Sequence, residues 1–122
     1  MENAIQSHRD LKVWQKAMEL AEAVYRLSAR LPTTETYRLG SQMTRAAASV
    51  AANIAEGNAR GTRRDYANFL SIAKGSLMET ETFLMLAVRL KFLEQQEAAP
   101  TLSLITEISK MLTALRSRLL EG

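Results

Sequence analysis

Cysteine is absent from this chain of 122 residues, which excludes disulfides, thiolate metal sites and cysteine nucleophiles and fits a reducing compartment. Histidine occurs once, at His8, so the paired Glu-x-x-His elements of a di-iron bundle are missing and a hydrolytic triad lacks a base within the helical body. His8 itself precedes the first helix and reads as a solvated residue. Proline occurs twice and glycine five times, leaving few points at which a helix is forced to stop. No apolar run approaches the ~20 residues needed to span a bilayer, and MENAIQSHRDLKVW has no basic-then-apolar leader pattern. The expectation is a cytoplasmic protein with no membrane partner. Aromatic residues make up only 6%, too few for the stacking platforms of a base-reading surface.

What is present is helical. Apolar residues (47%) and charged residues (24%) stand in the proportion of an ordinary globular protein, and the length suits one domain over 1–122. The most informative stretch, AAASVAANIAEG from Ala46 to Gly57, combines the best helix former with almost no side-chain bulk, so a neighbouring helix can approach closely along it. Spacing of apolar residues predicts four helices over about 10–31, 36–58, 63–92 and 100–120. Asp10 is placed to cap the first, and Thr62 with Asp65 three residues on resembles a capping box for the third. Gly57 and Gly61 read as helix-end glycines. Pro100 is taken as a boundary before the fourth helix. Short connections make the fold all-α, an antiparallel up-down-up-down four-helix bundle.

The first helix has two apolar stripes, Leu11, Trp14, Met18, Ala21, Tyr25 and Ala17, Leu20, Val24, Leu27, Leu31, enough for two neighbours. On the third, Phe69, Ile72, Ser76, Glu79, Phe83, Leu86 and Leu90 form a stripe in which Glu79 interrupts apolar residues. Such a carboxylate is either a perturbed acid or an ion-pair partner. Antiparallel pairing about the 57–62 turn sets Glu79 opposite Arg45, which favours a structural ion pair. The same pairing sets Asn53 and Glu56 near Tyr66 and Phe69, where they are expected to hydrogen-bond backbone amides or the phenol. Trp14, Met18, Met43 and Met111 are expected to be packed in apolar stripes.

Net charge is only +3, but its distribution is uneven. In the expected topology residues 8–16, 56–65 and 110–122 share one end, with nine basic and four acidic residues; the remainder has seven basic and nine acidic. Lys12, Lys16, Arg60, Arg63, Arg64, Arg116 and Arg118 are the candidate contacts for nucleic-acid backbone at that end. Arginines near helix C-termini also complement the helix dipole, which by itself accounts for Arg60, Arg116 and Arg118.

Three segments, DLKVWQKAMELAEAVY, then LP..E.YRL..QMTRAAASVAANIAEG, then NFLSIAKGSLMETETFLMLA, resemble the family of 23S ribosomal RNA intervening-sequence proteins over most of the chain. The most specific pieces are Gln42, Arg45, Asn53-Ile54-Ala55-Glu56-Gly57, and Gly75-Ser76-Leu77 followed by Glu79 and Glu81. Thr80 departs from the pattern, leucine being more typical there, which implies looser local packing. The resemblance implies an up-and-down bundle assembled as a homopentameric ring, with no enzymatic activity and no cofactor. Accessory proteins of diversity-generating retroelements look similar and work with a reverse transcriptase and RNA. The sequence is therefore read as a non-enzymatic ring-forming bundle that binds RNA or DNA backbone. Two other readings stand beside it: a scaffold or accessory subunit contacting a protein such as a polymerase, and an enzyme using Glu79 or Glu56.

Overall fold

A computed structural model describes residues 7–121, which form four long helices: α1 (Lys12–Ser28), α2 (Leu39–Asn58), α3 (Arg63–Arg89) and α4 (Gln95–Glu121). Among the described residues there is no strand. Each helix runs beside two others, α1 beside α2 and α4, α3 beside α2 and α4, and the backbones of the diagonal pairs do not come close. Contacts between opposite ends fix the directions. Arg30 just past the end of α1 pairs with Glu97 near the start of α4, at 3.0 Å, and Gly57 near the end of α2 lies against Tyr66 and Phe69 near the start of α3. The bundle is antiparallel, with α2 and α3 sharing the most extensive seam.

The core is one cluster. Ala17, Leu20, Val24 and Leu27 of α1 face Met43, Ala47, Val50 and Ile54 of α2, Leu70, Ala73, Leu77 and Leu84 of α3, and Ile105, Ile108 and Leu112 of α4. Only one stripe of α1 is therefore fully inside. Trp14 packs on the edge of the core, whereas Met18 and Tyr25 stand exposed, against the expectation that Met18 is packed. Met43 is fully buried and Met111 half-buried, as their stripes predict. Thr80 is fully buried with its hydroxyl donating to the Ser76 carbonyl at 2.8 Å, so its polar atom is satisfied within its own helix.

Helix ends depart from the sequence reading for local reasons. Asp10 does not cap α1; it lies in a short 3-10 turn (His8–Asp10) whose own cap is Ser7, and Leu11 begins α1 with no side-chain cap. A second 3-10 turn (Thr33–Glu35) delays α2 to Leu39. Thr62 does cap α3, accepting from the Asp65 amide at 3.1 Å. Pro100 does not mark the start of α4. Glu94 accepts the first helical bonds, and the Glu97 carboxylate reaches back to the Glu94 amide at 2.8 Å. The missing N–H of Pro100 then affects only the exposed Gln96 carbonyl, which water can serve.

Lys91 closes α3 with φ 67°, in the left-handed region. Phe92 donates to the Ala87 carbonyl and Lys91 to the Val88 carbonyl, the 6→1 and 5→2 bonds that satisfy a helix C-terminus. A side chain in that conformation costs about 1 kcal/mol or more that glycine avoids. Lys91→Gly is expected to raise the unfolding free energy by about 0.5–1 kcal/mol after the added flexibility of the unfolded chain is offset. Denaturant melts read this shift directly.

Candidate nucleic-acid interface

The topology brings the candidate basic residues to one end, but it gives them different tasks. Arg63, at the first position of α3, donates from Nε to the Leu119 carbonyl at 3.1 Å and from Nη2 to the Arg118 carbonyl at 2.9 Å. These are carbonyls of the last turn of α4, which have no partner within their own helix. Arg63 therefore caps a helix to which it is distant in sequence. Arg116 works in the opposite direction, donating from Nε to the Ala67 carbonyl of α3 at 3.2 Å. Together they fasten the start of α3 to the end of α4.

Two more of the seven are paired with carboxylates. Arg60 holds Glu56 at 2.9 Å one turn earlier and stacks 4.7 Å above the Phe69 ring. Lys16 lies 3.2 Å from Glu107 of α4. Glu107 thus belongs to the basic end, which dilutes the charge partition read from the sequence. The side chains of Lys12, Arg64 and Arg118 remain exposed, with no ion pair or hydrogen bond of their own among the described residues.

The expected Arg45–Glu79 ion pair does not form. Both side chains are exposed; Arg45 reaches only Ser41 of its own helix, at 3.4 Å, and Glu79 has no polar partner among the described residues. The level along the bundle is as expected, but α3 is rotated about its axis so that Ser76 faces α2 and Glu79 faces outward. Spacing alone does not separate these positions, because both lie on the same flank of the helix. The α2–α3 seam is instead held by Ser49, whose hydroxyl meets Ser76 and also accepts from Asn53 Nδ2 at 2.9 Å. Asn53 further donates to the Ser49 carbonyl at 2.8 Å. Neither Asn53 nor Glu56 contacts an amide or the Tyr66 phenol. That phenol accepts from Asn58 at 3.4 Å, and burial raises its pKa above the ordinary value of 10.0 while the Asn58 bond opposes the rise.

His8 is half-buried and packs edge-on to Trp14, with ring centroids 5.0 Å apart, and is not a freely solvated residue. Among the described residues no three His, Cys, Asp or Glu side chains gather as a metal ion would require. No helix of the described chain is long and apolar enough to cross a membrane. Sequence reasoning missed Lys74, whose ammonium donates to Thr113 of α4 at 2.8 Å in the α3–α4 groove. The signal for it was geometric: Lys74 lies one turn beyond the buried Leu70, on the flank turned toward α4.

The arrangement defines an up-and-down four-helix bundle with a basic end and exposed apolar grooves along its sides. The chain belongs to the 23S rRNA-intervening sequence protein family, whose model matches residues 9–114. Among solved structures it is similar to a protein of unknown function from the S23 ribosomal protein family of Bacteroides thetaiotaomicron, with TM-score 0.77 and 27% identity over 85% of this chain and 97% of that one. A search of curated proteins gives no match.

Proposed function

We propose that this protein is a non-enzymatic, ring-forming homo-oligomer, with five subunits, that binds the phosphate backbone of RNA or DNA through its basic end. The observation that carries the reading is the set Lys12, Arg64 and Arg118, exposed and without acidic partners on an end whose geometry Arg63 and Arg116 hold rigid. Cyclic symmetry would repeat that end on one face of a ring and raise the potential that draws a polyanion.

Assembly is supported by what the bundle leaves uncovered. Leu86 and Leu90 of α3 line a groove with Leu39 and Gln42 of α2, and Tyr25 of α1 lines another with Ser41 and Thr44 on the other side of α2. In these grooves Leu86, Leu90 and Tyr25 are 41%, 50% and 56% exposed, and elsewhere on α3 Ile72 is 52% exposed, more large apolar surface than an isolated bundle needs to show. The number five is what the family resemblance implies, and the family's description, by a sequence that intervenes in 23S rRNA, supports RNA as partner. The reading as a non-enzyme is supported by Glu56 and Glu79, one paired with arginine and the other open to solvent.

Light scattering tests the ring, with a mass near five subunits expected and a concentration-independent monomer overturning it. Salt titration of strand binding tests the end. Since Arg60 is paired and Arg63 caps α4, the informative change is Lys12, Arg64 and Arg118 together to Ala. It is expected to lower the slope of log affinity against log salt by about 2–3, at ~0.7–0.9 per lost phosphate contact, across sequences alike and with the oligomeric mass unchanged. Binding that is undetectable at low salt moves the balance to a scaffold that contacts protein only.

A further inference from the structure

Lys74 and Arg116 face one cleft between α3 and α4, of about 520 Å³, and both are partly buried. Neither has a carboxylate within ion-pairing distance among the described residues. Their partners are neutral: Lys74 donates to the Thr113 hydroxyl at 2.8 Å and Arg116 to the Ala67 carbonyl at 3.2 Å. One of three ammonium N–H groups and one of five guanidinium N–H groups are so used, and both charges remain uncompensated. Ser71 and Ser117 line the same cleft with further hydroxyls. Its single carboxylate, Glu121, is exposed at the end of α4, at the opposite limit of the cleft from Lys74.

Two cations set together in one cleft without counter-ions add their fields, and the apolar walls supplied by Leu70 and Leu112 help to concentrate them. The ligand that answers it is a compact oxyanion. A phosphate group offers several acceptor oxygens, takes a fork of N–H groups from an arginine and a point charge from a lysine, and accepts from hydroxyls. Arg64 lies seven residues before Ser71, two helical turns away on the same face of α3, and continues the positive track from the bundle end into the cleft. The cleft has room for one phosphate group, with the attached strand lying along the open groove between the two helices.

We propose that the α3–α4 cleft is a phosphate site, in which Lys74 and Arg116, with the hydroxyls of Ser71, Thr113 and Ser117, hold one backbone phosphate of a single nucleic-acid strand. The site rests on the basic-end reading for the source of the phosphate, and on its own geometry for the chemistry.

The test uses the full chain with a fluorescently labelled single-stranded RNA oligonucleotide, comparing wild type, Lys74→Gln and Lys74→Arg by anisotropy over a salt series. A parallel arm follows the Lys74 and Arg116 side-chain NMR signals as inorganic phosphate is added. Glutamine retains a donor for Thr113, and a thermal melt checks that the variant folds. Lys74→Gln is expected to weaken binding about fivefold or more and to lower the salt slope by about 0.7, with Lys74→Arg close to wild type. Wild-type strand binding that Lys74→Gln leaves unchanged overturns the cleft site and leaves the basic-end reading standing. If the strand fails to bind wild type while phosphate shifts both signals, the cleft's chemistry is supported, and the basic-end reading and the strand as source are overturned. With no response in either arm, both fall.

Discussion

Leu77→Ala is expected to lower the unfolding free energy by about 3–5 kcal/mol, the range found when a fully buried leucine is removed and its surroundings do not close. Leu77 is completely inaccessible, one residue after Ser76, whose hydroxyl is tied across the seam to Ser49. That hydrogen bond and the buried Thr80 one turn on keep α3 from sliding to fill the space. Chemical denaturation of wild type and variant at equal concentration measures the loss. A change below ~1 kcal/mol would mean that the centre of the bundle repacks freely, and would remove the argument for a rigid α2–α3 seam.

Gly57→Val is expected to cost about 3 kcal/mol, the upper part of the range for overpacking, despite replacing a poor helix former. A Cβ built on Gly57 falls 2.8 Å from the Phe69 Cβ and 3.2 Å from the Tyr66 carbonyl oxygen. Neither neighbour is the free end of a flexible side chain, so the two helices must move apart at this point. The displaced phenylalanine also underlies Arg60. Gly57→Ala should show a smaller loss, because better helix propensity offsets part of the clash. Gly61, with nothing within 4 Å of an added Cβ, is the internal control: Gly61→Ala should change stability little. Equal losses at the two glycines would contradict the close-approach account.

The two glycines show where sequence reasoning held and where it ended. That residues 46–57 form a helix suited to close packing follows from composition, and the structure bears it out. That Gly57 lies inside α2 as a contact, and is not its terminator, depends on which residues of α3 lie over it. The four helices and their order were legible because apolar spacing repeats throughout the chain and turns have little room. The rotation of α3 was not. Its apolar residues extend over more than half of its circumference, so the pattern does not say which part turns inward; this is why Glu79 was read as a core partner and Ser76 was not given its role. Helix limits failed where a backbone feature overrode a side-chain signal, as at Pro100, tolerated because it sits near the start of α4, and at Lys91, a left-handed lysine where glycine is usual.

Of the candidate site, the sequence yielded the gathering of positive charge at one end. It did not reveal how the individual cations are engaged, because the acceptors for Arg63 and Arg116 are backbone carbonyls, which every residue carries and no sequence pattern marks. Lys74 and Thr113 come together only through the packing of α3 on α4.

The way Arg63 is engaged separates attraction from grip. A guanidinium hydrogen-bonded to carbonyls keeps its formal charge, so Arg63 still adds to the field that an approaching polyanion would meet, less the part offset by the negative end of the α4 dipole. The Nε–Nη2 edge with which it would clasp a phosphate is nevertheless turned into α4. On the proposed reading, an end built this way would draw a strand in through the sum of its charges and hold it through the few cations whose donors are free. Encounter rate and residence time would then be set by different residues, the first by summed charge and the second by free donors.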